Sequence, residues 1–121
     1  MSLDFKVFII DLDGSVYKGN EMVPGADKTI AKLRESDKKI LFVTNNSTGS
    51  PLDYSHKLSR MGIGASADQI LTSSVATAAY MRCQVKGKAY VIGEEALKKA
   101  VGSEGFEVLS DEKGSEADYV I

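Results

Sequence analysis

The chain has 121 residues, 43% of them apolar and 26% charged, with 15 Lys+Arg against 17 Asp+Glu for a formal charge of −2. That is one domain's worth of an ordinary globular composition. It excludes the basic footprint of a nucleic-acid binder, and no apolar run approaches the roughly 20 residues of a membrane span. Met1-Ser2-Leu3 resembles an expression scar and carries no fold meaning, and no signal-type segment follows it. The single cysteine, Cys83, forms no internal disulfide and excludes a Cys-rich zinc site, so a cytoplasmic protein without nucleic-acid or membrane partners is expected.

Phe5 to Ile10 is a short apolar run and predicts a central parallel strand, buried on both faces. It runs into Asp11-Leu12-Asp13-Gly14. Val16 to Val23, two apolar pieces around Gly19-Asn20, predicts a small hairpin. After Pro24-Gly25, a helix is expected over Ala26 to Arg34. Ile40 to Val43 predicts a second buried strand, which ends in the polar loop Thr44 to Gly49.

Ser50 and Pro51 predict an N-cap and a first helical position, and Tyr54, Leu58 and Met61 follow at helical spacing up to Gly62. An Ala-rich helix is expected over Ser73 to Met81, a strand over Ala89 to Ile92, and a helix from Glu94 to Val101. Phe106 to Leu109 reads as a short strand, Ser110 to Glu116 as a charged loop, and Asp118 onward as a last strand. This strand–helix alternation predicts an α/β protein with a Rossmann-like, three-layer parallel sheet. Because Ala117-Asp118-Tyr119-Val120-Ile121 looks like a strand still growing, the chain reads as the N-terminal part of a longer protein.

The chemistry is expected beyond the carboxyl ends of the strands. Residues two apart on an extended chain point the same way, so Asp11 and Asp13 can face one pocket while Leu12 turns into the core. Two carboxylates this close stay ionised together only when a cation or donor compensates, and hard oxygen ligands suit Mg²⁺. A plain Asp-Gly surface turn remains an alternative. A calcium loop fails, because its glycine position is Val16 and its last ligand position is Met22. Phosphoryl chemistry is the third reading: one acid attacks phosphorus and the other moves protons. The residues alone do not choose which does which. Thr44, Asn45, Asn46 and Ser47 offer hydroxyls and amides of the kind phosphoryl oxygens need, although a polar loop with an Asx turn explains them equally well.

Two segments together resemble the haloacid dehalogenase (HAD) superfamily. Its first motif, four apolar residues followed by D-x-D-G-(T/S), appears as Val7 to Ser15. Its second, three apolar residues followed by (T/S)-N, appears as Leu41 to Asn45. The sequences D-L-D-G-S-V-Y and F-V-T-N-N-S-T look like subfamily IIA, the NagD-like, 4-nitrophenyl phosphatase-like branch. Gly62-Ile63, Ile70 to Ser73, Tyr90 to Glu95 and Ala117 to Ile121 follow its usual course, so the resemblance covers nearly the whole chain.

The resemblance implies a Mg²⁺-dependent hydrolase of small phosphate monoesters that works through an aspartyl-phosphate. Asp11 would be the nucleophile and Asp13 the acid/base. Both are implied metal ligands, Asp13 through its backbone carbonyl. Thr44 would bind phosphate, and Asn45 and Asn46 would line the substrate side. Residues 16–23 would form the family's squiggle and flap. Residues 1–115 would be the first half of the core and 116–121 the start of a truncated C2-type cap. Family members are often dimers, so a homo-oligomer is an expectation.

The pattern is incomplete. The family's third-motif lysine and fourth-motif acidic pair have no counterpart here. Asp111-Glu112 lies outside any G-D-x-x-x-D, Asp118 precedes its strand, and Lys98 and Lys99 read as a solvated helix face. The 121 residues alone are therefore expected to be a poor enzyme, since electrostatic positioning dominates phosphoryl transfer. Two non-enzymatic alternatives are a receiver-like phosphoacceptor and a domain that only binds Mg²⁺ and phosphate. The receiver needs an Asp where the third strand ends in Ile92-Gly93. His56 reads as a helix-surface residue, Cys83 as small core or semi-buried, and Tyr54 and Tyr90 as packing. Gly93-Glu94-Glu95 is not a dinucleotide motif.

Overall fold

The computed structural model describes residues 4–121, which form two compact units. The first comprises the chain up to Thr44 together with Pro51–Leu71, and the second comprises Asn45–Ser50 together with Thr72–Ile121.

In the first unit, strand β1 (Val7–Asp11) leads through a tight turn into a hairpin of β2 (Tyr17–Lys18) and β3 (Glu21–Met22). Helix α1 (Ala26–Glu35) returns the chain to strand β4 (Lys39–Thr44). β1 and β4 pair in parallel, from Val7 opposite Lys39 to Asp11 opposite Val43. Helix α2 (Pro51–Arg60) and a 3-10 turn at Ala67–Gln69 precede β5 (Ile70–Thr72), and the sheet order is β1-β4-β5. β4 is the centre of this sheet, and its alternation buries Ile40, Phe42 and Thr44. α2 turns Tyr54 and Leu58, one helical turn apart, into the same core as Leu12, Val16, Tyr17 and Ile30. Its acid, Asp53, sits in the first turn, and Lys57 and Arg60 sit in the last, as the helix dipole favours.

One expectation fails here. β1 is not a central strand buried on both faces. Among the described residues it is the sheet's edge, with Val7 54% and Ile9 68% exposed. A continuous apolar run says that a strand can be covered, not that it is.

In the second unit, Thr72 caps helix α3 (Ser73–Met81), its hydroxyl accepting from the Val75 N–H at 3.2 Å. Strand β6 (Lys88–Tyr90), helix α4 (Glu95–Ser103), β7 (Glu107–Val108) and β8 (Tyr119–Val120) follow. β6 is central and pairs in parallel with both β7 and β8. Met81, Ala89, Val91, Leu97, Val101 and Phe106 form its core.

The stretch expected to be a charged loop is a 3-10 helix, Asp111–Glu116. It is held against β6. The Tyr90 hydroxyl meets Asp111 at 3.3 Å, Lys88 pairs with Glu116 at 3.0 Å, and a Cβ at Gly114 would stand 3.3 Å from the Tyr90 ring. Parallel pairing and strand–helix alternation place the chain in the α/β class. The parallel partners fall in two three-stranded sheets, one in each unit.

Candidate active site

The site is built on the exit from β1. Leu12 leaves the strand, donates its N–H to the Val43 carbonyl at 3.0 Å, and is fully buried. Its own carbonyl then collects the N–H groups of Ser15 (3.3 Å), Val16 (2.9 Å) and Tyr17 (3.2 Å). Gly14, at φ +90°, donates to the Tyr17 carbonyl at 2.7 Å. A side chain at that φ is strained, so the turn needs glycine. The buried Val16 and Tyr17 fix the root of the hairpin, and Val23 closes it by donating to the Val16 carbonyl at 2.9 Å.

This turn leaves Asp11 and Asp13 exposed on either side of a buried leucine. The Ser15 hydroxyl lies 3.5 Å from Asp11 Oδ2. Among the described residues neither acid has a lysine or arginine ion-pair partner. Burial, followed by the charges of Tyr54, Asp13 and Asp11, pushes the Tyr17 phenol up to about 12. Thr44 ends β4, is only 5% exposed, and follows Val43, the register partner of Asp11. Asp11, Asp13 and Thr44 thus share the carboxyl edge of two paired strands.

Asn45 and Asn46 belong to the second unit. The Asn45 carbonyl accepts from the Ser73 hydroxyl at 2.9 Å. The Asn46 amide oxygen accepts from the Thr48 N–H (2.9 Å) and hydroxyl (2.7 Å), which is an Asx turn. That oxygen therefore serves the loop. His56 is exposed, as expected. Cys83 is also exposed, against the expectation of a semi-buried position, because the chain has already left α3 at Met81.

Two residues with a place in this arrangement were not among the sequence candidates. One is Ser15. The other is Lys57, whose Nζ stands 3.7 Å from the centroid of the Tyr17 ring. A cleft of about 240 Å³ opens beside the turn, walled mainly by apolar side chains including Ile10, Val16, Val23 and Ile30; neither acid lines it. Among the described residues no cluster of three His, Cys, Asp or Glu could hold a metal. No helix among them is long and apolar enough to cross a membrane.

A parallel α/β sheet with an acid–x–acid turn at its carboxyl edge and a buried threonine on the neighbouring strand defines a class of proteins. Residues 8–107 match the family model described as haloacid dehalogenase-like hydrolase, and the chain belongs to that family. It is 40% identical over 119 residues to the acid sugar phosphatase of Staphylococcus saprophyticus, covering 98% of this chain and 45% of that protein. Among solved structures it is similar to NagD from E. coli K-12 (TM-score 0.83, 28% identity, 96% of this chain and 45% of that one). It is also similar to p-nitrophenyl phosphatase from Archaeoglobus fulgidus (TM-score 0.82, 34% identity, 95% and 43%). These likenesses place it in the NagD-like branch, subfamily IIA. The chain spans less than half the length of each of these relatives.

Proposed function

We propose that the protein to which this chain belongs hydrolyses small phosphate monoesters through an aspartyl-phosphate. The single observation that supports this best is the turn itself: two exposed acids flank the buried Leu12 beside Thr44, in a chain of the haloacid dehalogenase-like family.

An Asp11 carboxylate oxygen attacks phosphorus, and the bond to the ester oxygen breaks as the acyl-phosphate bond forms. Asp13 gives its proton to the departing oxygen. It then takes one from the water that attacks the phosphorus, releasing inorganic phosphate and restoring Asp11. Thr44 presents a hydroxyl donor to the phosphoryl oxygens.

The donor set fits a magnesium ion: the Asp11 carboxylate and the Asp13 backbone carbonyl are hard oxygens, and Mg²⁺ keeps several waters of its own. Asp11 and Asp13 would hold it. When bound, it neutralises charge that develops on the phosphoryl group. The printed names of the relatives, an acid sugar phosphatase and a nitrophenyl phosphatase, support small phosphorylated metabolites as substrates. A single cysteine supports a cytoplasmic location.

The test is Mg²⁺-dependent release of 4-nitrophenol from 4-nitrophenyl phosphate, by a polypeptide of the relatives' full length that contains this sequence. Activity that EDTA removes and Asp11→Asn abolishes is expected. The 121 residues alone should show little turnover. Undiminished turnover in the Asp11→Asn variant would overturn the assignment.

A further inference from the structure

We infer that Lys57 is a positioning residue for the acidic turn, acting through the face of the Tyr17 ring. The inference rests on the function proposed above and adds a residue that neither motif contains.

Tyr17 is tied to the turn at two points: its N–H donates to the Leu12 carbonyl and its carbonyl accepts from the Gly14 N–H, and these two bonds make its bridge with Asp13. Tyr17 is 1% exposed, so its ring is packed in the core and cannot move without the side chains around it. Lys57 comes from α2, far away in sequence. Its half-buried side chain places Nζ 3.7 Å from the ring centroid, within the range at which an ammonium is held by an aromatic face. Tyr54, one turn earlier on α2, is buried in the same core cluster.

The bland alternative is that Lys57 is only a last-turn cation with an apolar stem resting on the core. Lys57→Met separates the two, since it keeps the stem and removes the charge, and Lys57→Arg restores a cation. Backbone amide exchange in this chain is the first readout. In Lys57→Met, the Gly14 and Tyr17 amides should exchange about tenfold faster, while those of β4 stay unchanged. Lys57→Arg should return them to within about twofold of the parent. In a hydrolysing polypeptide that contains this sequence, Lys57→Met should lower kcat about fivefold with KM within about twofold.

Exchange at Gly14 and Tyr17 that is unchanged, or that rises in step with β4, overturns the inference. So does faster local exchange with kcat intact. If the parent polypeptide hydrolyses no phosphate monoester, the proposed function fails. The exchange result still decides whether Lys57 holds the turn.

Discussion

The N–H of Leu12 donates to the carbonyl of Val43 across 3.0 Å, and this bond joins the two motif segments at backbone level. It sits between the two acids on one side and one residue before Thr44 on the other. Leu12 is also fully buried, so the same residue sets the turn's height over the core. Leu12→Ala should cost about 2–5 kcal/mol, as core truncations do. Leu52→Ala, at a position 54% exposed, should stay within about 0.5 kcal/mol of the parent. Urea denaturation of the chain checks both.

Gly14 takes φ +90° with nothing within 4 Å of the place a Cβ would occupy. A substitution there meets strain rather than a clash. Gly14→Ala should cost about 1–2 kcal/mol of stability, and it should lower turnover more than its stability loss explains, because it tilts Asp13. Thermal melts and 4-nitrophenyl phosphate kinetics on the same samples separate the two effects.

Thr44 gives the proposed phosphate site a buried hydroxyl. Thr44→Val keeps the shape and removes the donor, and it should raise KM about tenfold, the worth of one hydrogen bond to a charged oxygen. Thr44→Ser should stay near the parent. Equal KM values in all three proteins would remove Thr44 from the site.

Tyr17 makes stability fall at high pH. Its folded phenol titrates near 12 against an ordinary 10.0. The folded state therefore holds the proton more tightly than the unfolded chain. The stabilisation is complete below pH 10 and is lost as pH rises from about 10 toward 12. The urea midpoint of the parent should fall more steeply over that range than that of Tyr17→Phe. Parallel curves would show that the phenol is not held high.

Cys83 is exposed and should be modified by a thiol reagent without denaturant. Protection until the chain is unfolded would contradict its placement.

The acid–x–acid turn was legible in the sequence because its residues are contiguous. Asp11, Leu12, Asp13 and Gly14 follow one another, and an apolar run marks the strand that aims them. Thr44 was legible for the same reason. The helix Ser73–Met81 was read to the residue from its run of alanines.

What escaped the sequence depends on partners far along the chain. β5 is three residues long, too short to show a period. The 3-10 helix at Asp111–Glu116 is held by Tyr90 and Lys88, which nothing in its own composition announces. The exposure of β1 depends on how many strands flank it, a number that its own residues do not encode. Lys57 drew no reading from the sequence because its partner lies in the hairpin.

The open flank of β1 also governs how the chain behaves in a test tube. Among the described residues β1 ends its sheet, and such an edge beside exposed Val7 and Ile9 is a template onto which another extended chain can add. Asp4 and Lys6 put opposite charges at its start, which slows such growth without preventing it. Turbidity of this polypeptide should therefore rise with concentration and with salt, and a single lysine at Ile9 should keep it clear.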